Sequence, residues 1–152
     1  MDITLLAVGK LRPAFRAAAD DYLTRLTRYA RMTEVEVREA GRAPTPAVTM
    51  TQESERLRER VKPGMLLVAL DREAKAWSSE QVAARLDVWR ASSRPVALLI
   101  GGSHGLEPAL LGSAGERWGL GPLTLPHELA RVVVLEQLYR AWTILKGEKY
   151  HK

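Results

Sequence analysis

At 152 residues and 46% hydrophobic, the chain is long and apolar enough to bury one core, so a single domain spanning 1–152 is expected rather than a disordered chain. It has no cysteine, which excludes disulfides and thiolate metal sites and fits a reducing cytoplasm; no stretch reaches the roughly 18 apolar residues of a membrane span. The net charge of +5 and pI near 9.8 rest mainly on arginine, whose planar fork suits phosphate, so nucleic acid is a plausible partner; a coding bias toward Ala, Leu and Arg would give the same composition.

The opening Met1-Asp2-Ile3-Thr4-Leu5 has no basic leader, so a signal peptide is not expected. Ile3 to Val8 is an apolar run closed by Gly9 and reads as a buried strand. Pro13 suits a first helical turn, and Phe15, Ala18, Tyr22, Leu26 and Tyr29 recur on one helical face. Alternation over Glu34–Arg38 predicts a strand with one wet face. Gly41 to Ala47 reads as a loop, and Thr49 to Val61 as a mostly polar helix anchored by Leu57 and Val61. Lys62-Pro63-Gly64 is a turn before an apolar strand, Met65 to Leu70.

Ser78 and Gln81 have capping-box spacing at the start of a helix buried through Val82, Leu86 and Trp89, with Trp77 placed to staple onto Val82. Val96 to Ile100 is a fourth strand, ended by Gly101-Gly102-Ser103-His104-Gly105. A helix is expected from Glu107–Pro108 to about Glu116, then a short strand and loop over Trp118–Thr124. The last helix, about Glu128 to Lys146, opens near Pro126 and is apolar nearly all round. A domain this small is expected to cover such a helix with a second subunit, which predicts a homodimer. Alternating strands and helices imply a three-layer α/β/α domain on a mostly parallel sheet.

Strand, glycine loop, helix is the arrangement of a nucleotide site, because glycine admits close backbone approach and a helix start offers free N–H groups. The loop has neither the G-x-G-x-x-G fingerprint nor a Gly-Lys-Ser/Thr ending, so on spacing alone a plain turn is about as good a reading. His104, His127 and His151 lack metal-ligand spacing, so no metal is expected. Glu136 and Arg140 stand four apart on an otherwise apolar helix, as an interface ion pair or as part of a site.

Leu98-Leu99-Ile100-Gly101-Gly102-Ser103-His104-Gly105-Leu106, Leu123-Thr124-Leu125-Pro126-His127, Glu136-Gln137-Leu138-Tyr139-Arg140-Ala141-Trp142 and the terminal Tyr150-His151-Lys152 occur together and in order. In this the chain closely resembles the RlmH family, SPOUT-class methyltransferases that methylate N3 of a pseudouridine in large-subunit (23S) ribosomal RNA. The resemblance covers the whole chain, from Leu6-Ala7-Val8-Gly9-Lys10 onward, and is strongest after Leu66. Lys149 stands where a proline often precedes the Tyr-His pair, and Ser103 and His104 fill a variable part of the glycine loop.

The resemblance implies an α/β fold with a C-terminal trefoil knot, a cytoplasmic homodimer, and rRNA on the assembled ribosome as substrate. It implies S-adenosylmethionine as cofactor, contacted by Leu70, Gly101, Gly102, Leu120, Gly121, Pro122, Leu123, Thr124 and Leu125. On this reading His151 handles the proton or positions the base, Tyr150 orients the flipped base, and Arg140, held by Glu136, stabilises the anion. His127, Arg131 and Lys152 are weaker candidates for positioning RNA or cofactor. The tail is expected to act across the dimer. Two rival readings are a non-catalytic RNA-binding ribosome-assembly factor and a knotted methyltransferase for another nucleoside.

Overall fold

The structure, a computed structural model, describes residues 1–152. In chain order the elements are β1 (Asp2–Val8), α1 (Pro13–Leu26), β2 (Arg31–Val37), α2 (Pro46–Arg58) and β3 (Leu66–Leu70). They continue as α3 (Ser79–Ala91), β4 (Val96–Ile100), α4 (Pro108–Ser113), β5 (Glu116–Trp118) and α5 (His127–Leu145). The five strands form one sheet in the order β2-β1-β4-β3-β5, and every neighbouring pair is parallel.

A parallel sheet must be covered on both faces, so its inner strands carry unbroken apolar runs. All five residues of β4 are buried. Ile3, Leu5, Val96, Leu98 and Ile100 face α1, α3 and α5, and Leu6, Val8, Ala97 and Leu99 face Leu57 of α2 and Leu110 of α4. This division follows from chirality: β1→β2 and β3→β4 step one way along the sheet, β2→β3 and β4→β5 the other. Right-handed crossovers then put α1 and α3 on one face, α2 and α4 on the opposite one. The expected three-layer arrangement is present.

Local signals account for most boundaries. Both arms of the Ser78–Gln81 capping box are made, at 2.8 and 3.2 Å. Trp77, expected to staple onto Val82, packs against the core cluster that holds Val82 and stacks on Trp118, with ring centroids 5.5 Å apart. Helix α2 begins three residues before the expected Thr49: Pro46 occupies the first turn and Thr45 caps it, accepting from Val48 N–H at 3.2 Å. The proline read as part of a loop is the helix start. Helix α4 stops at Ser113, short of Glu116. Gly112 and Gly115 favour termination, and Glu116 is claimed by pairing with Val68 and by the Trp89 indole N–H at 2.9 Å.

Helix α5 packs between α1 and α3. Nine of its 19 residues are buried within the one chain and the other ten are half-buried, Leu129, Val132 and Val133 among them, so part of its apolar surface is left uncovered by its own chain.

The start of α5 is fixed by Arg131, whose side chain is 1% exposed. Its guanidinium donates to the carbonyls of Val8 (3.3 Å) and Gly9 (2.8 Å) and pairs with Glu34 (3.3 Å) and Glu36 (2.5 Å). Glu128 adds two bonds to Arg12, one to its backbone N–H at 2.7 Å and one to its side chain at 2.8 Å. At the far edge of the sheet, Gly119 N–H donates to the Lys75 carbonyl at 3.1 Å, and a Cβ at Gly119 would collide with the Ala74 carbonyl oxygen. Residues 120–126 thus start beside β5 and end over the termini of β1 and β2. They cross the carboxyl ends of β3 and β4 on the way.

Arg131→Met would leave two carbonyls and two carboxylates without their shared donor. Urea unfolding is expected to show a loss of about 3–5 kcal/mol, the range for breaking a buried charge cluster by removing one partner. A loss under about 1 kcal/mol would remove this anchor from the fold.

Candidate active site

Two groups of residues stand out, one at the carboxyl edge of the sheet and one along α5. At the edge, the glycine loop closes on itself. A Cβ at Gly101 would lie 2.5 Å from the Gly105 carbonyl carbon, and Gly105 (φ +81°) donates its N–H to the Gly102 carbonyl at 3.0 Å. Gly102 and Gly105 pair as a short antiparallel bridge, whereas Gly101 is buried and its N–H has no acceptor in the chain. The run Leu120–Leu125 likewise donates no N–H to another protein group. Leu70, Leu120 and Leu125 are half-buried beside it, and Leu123 is 75% exposed.

Buried N–H groups are nearly always satisfied, because each orphan costs about 1–3 kcal/mol. An edge that combines free backbone donors with leucine faces fits a flat heteroaromatic ligand that both stacks and hydrogen-bonds. It also adjoins β1 and β4, whose connections leave to opposite faces of the sheet, and open α/β sheets bind ligands at such a reversal.

Along α5, the structure brings Glu136, Arg140, Tyr150 and His151 together. Glu136 Oε1 accepts from Arg140 Nη2 at 2.6 Å, Arg140 Nε at 3.0 Å and the Tyr150 hydroxyl at 3.1 Å. The Arg140 guanidinium lies 4.8 Å over the Tyr150 ring, which meets Tyr139 edge-on at 4.7 Å. Glu136, with burial opposing it, holds the Arg140 pKa above its ordinary value. Burial, with the hydrogen bonds to Tyr22 and Glu136, pushes the Tyr150 hydroxyl well above the usual phenol range. Tyr150 therefore stays protonated near neutral pH and serves as a donor, not a base.

His151 Nδ1 lies 3.3 Å from Arg140 Nη1, and its Nε2 lies 2.9 Å from Glu80 Oε1. A guanidinium only donates, so Nδ1 accepts and Nε2 carries the hydrogen given to Glu80. Gln137 ties the group to α3: its amide donates to Glu136 Oε2 at 2.7 Å, and its carbonyl accepts from the Ser79 hydroxyl at 2.7 Å. The tail thus folds against α5 and α3 of its own chain. No hydrogen bond joins this cluster to Gly101, Gly102 or the Leu120–Leu125 run.

The weaker candidates scatter. His127 Nε2 sits 3.8 Å from Glu39, and Lys152 is exposed with no ion pair. Arg131 is corrected: an enclosed guanidinium committed to Glu34, Glu36 and two carbonyls has no surface to offer RNA, and its work is structural. Sequence reasoning missed Glu53. This α2 carboxylate is 4% exposed; Oε2 accepts from Ala40 N–H at 3.1 Å, and Oε1, buried without a partner, would lie 2.8 Å from a Cβ on Gly102. Nothing in a polar, charge-rich stretch distinguishes it from its solvated neighbours.

Comparison with known proteins agrees with this geometry. Residues 1–151 match the family described as predicted SPOUT methyltransferase. The chain is 41% identical over 155 aligned positions, covering 100% of both sequences, to the ribosomal RNA large subunit methyltransferase H of Pseudomonas putida (strain W619), and equally to that of Pseudomonas paraeruginosa. Its fold is that of a probable methylase family protein from Haemophilus influenzae Rd KW20, with a TM-score of 0.59 at 12% identity over 99% of this chain and 70% of that one. A family match over nearly every residue, with full-length relatives at this identity, makes the chain a SPOUT methyltransferase of the RlmH branch.

Proposed function

We propose that this enzyme moves a methyl group from S-adenosylmethionine to N3 of a pseudouridine in 23S rRNA, on the assembled ribosome in the cytoplasm, as a homodimer. The observation that carries the reading is the carboxyl edge. A buried, unpaired N–H at Gly101 ends β4, and the leucine-rich run Leu120–Leu125 keeps its own N–H groups unpaired, in a chain collinear with proteins named for rRNA large-subunit methylation. Leu70, Gly101, Gly102, Leu120, Gly121, Pro122, Leu123, Thr124 and Leu125 would hold the cofactor, whose sulfonium supplies an electrophilic methyl. The close seat of Gly119 against Ala74 and Lys75, from which the chain runs on to α5, supports the trefoil knot of this fold.

The chain's own residues then have separable tasks. The edge loops orient the donor, and holding the reacting atoms in line supplies much of the rate. N3 loses a proton as it gains the methyl, and the ring's negative charge spreads to its two carbonyl oxygens. Arg140, oriented by Glu136, stabilises that charge. Tyr150 packs against the base. His151 takes or relays the proton once RNA displaces Arg140 from Nδ1. The cluster shares no hydrogen bond with the edge loops of its own chain, which supports a dimer that brings one protomer's tail to its partner's crevice. No helix of the chain is long and apolar enough to cross a membrane.

Three measurements test the proposal. Calorimetric titration with S-adenosylmethionine is expected to give saturable binding that Gly102→Ala abolishes, since the new Cβ meets Glu53 and Val8; a wild-type protein that binds no donor favours the assembly-factor reading. Truncation after Gly147 is expected to keep that binding and to lose methyl transfer to ribosomal particles about 100-fold or more, and undiminished turnover would remove the tail from the mechanism. Arg140→Met is expected to lower kcat about 100- to 1,000-fold with donor affinity held, the usual cost of one preorganised charge donor.

A further inference from the structure

A cleft of about 490 Å³ opens at the carboxyl end of β2. One wall is residues 38–42, which follow β2; the other is the outward face of α2 at Gln52 and Arg56. Three guanidinium groups line it, those of Arg38, Arg42 and Arg56. No carboxylate pairs with any of them. Most surface arginines elsewhere are paired, Arg16, Arg25, Arg58, Arg90 and Arg117 each facing an acid within 4.0 Å; Arg28, Arg60 and Arg94 are unpaired but scattered, whereas these three share one cleft. The one acid in the lining, Glu39, has His127 at 3.8 Å.

The walls are held in place. Arg56 Nη1 donates to the Arg38 carbonyl at 2.7 Å, and Ala40 N–H donates to Glu53 at 3.1 Å. Like charges gathered without counter-charges repel one another, so the fold gains nothing from the grouping. An anion does. Planar forks match phosphate oxygens in pairs, and a lining with Ala40 as its one apolar residue offers no ring on which a base could stack. Such a cleft reads backbone, not sequence. Glu53, which anchors its wall at Ala40, also abuts Gly102 of the crevice, so cleft and crevice share a partition.

We infer that this cleft seats the phosphates of the RNA strand beside the target nucleotide. The placement beside the target rests on the function proposed above; the phosphate binding does not. The probe is a short fluorescent single-stranded RNA, followed by anisotropy across a salt series. Wild-type affinity is expected to fall with salt. In the combined variant Arg38→Gln, Arg42→Gln, Arg56→Gln, the slope of log K against log salt is expected to shrink by about 2, at about 0.7 per phosphate contact on a single strand. Arg42 makes no hydrogen bond within the fold, so Arg42→Glu alone carries the test if the combined variant melts early; it is expected to weaken binding at least tenfold. The control pair Arg72→Gln, Arg90→Gln is expected to leave the slope as in wild type. An unchanged slope in the combined variant, unchanged affinity in Arg42→Glu, or an equal loss in the control pair overturns the inference. S-adenosylmethionine titration of the same proteins separates the two readings. Donor binding with an unchanged RNA slope sinks the cleft alone, whereas a reduced slope in a protein that binds no donor sinks the proposed function and leaves the cleft standing.

Discussion

The buried guanidinium of Arg131 sets the geometry on which everything else is hung. Surface ion pairs of this chain, such as Arg25–Asp21 or Arg90–Asp87, are screened by solvent, add little stability and leave the chain path unchanged. Arg131 is different because it is enclosed and ties one end of α5 to the carbonyl ends of β1 and the carboxylates of β2. With that end fixed, the segment after β5 has to cross the sheet along its carboxyl edge. The same attachment sets where the far half of α5 lies, and with it Glu136 and Arg140. The crevice and the tail cluster are both consequences of where one helix begins.

Much of the fold was legible in the residues. Buried parallel strands announce themselves as short apolar runs, and β1, β3 and β4 were found on that signal. The capping box at Ser78 named a helix start to the residue. The errors have physical causes. Pro46 is ambiguous, since the fixed φ that breaks a helix interior also suits a first turn, and only the Thr45 hydroxyl decides between them. Glu116 was lost to a helix because the long-range bond from Trp89 that claims it for a strand leaves no local trace.

The site was legible in a different way. Glu136 and Arg140 were visible as a pair by helical spacing, but their junction with Tyr150, His151 and Glu80 depends on how the tail turns back, which no local pattern encodes. The edge residues came from resemblance, because the glycine spacing alone supports a plain turn equally well. Arg131 shows the limit of composition: in a chain rich in arginine, nothing in the sequence separates the one that is sealed in the core from those that line an open cleft. Burial and the supply of nearby acids make that distinction, and both belong to the folded chain.

The pairing of His151 carries a further meaning. One ring nitrogen is occupied by a cation and the other has given its hydrogen to Glu80, so the imidazole of the unengaged enzyme has no lone pair at liberty. On the reading proposed here the resting protein is chemically idle at its tail, and arrival of the polyanionic strand is what competes Arg140 away and arms the ring. The proposed chemistry would thereby be reserved for the moment when the correct acceptor is in place.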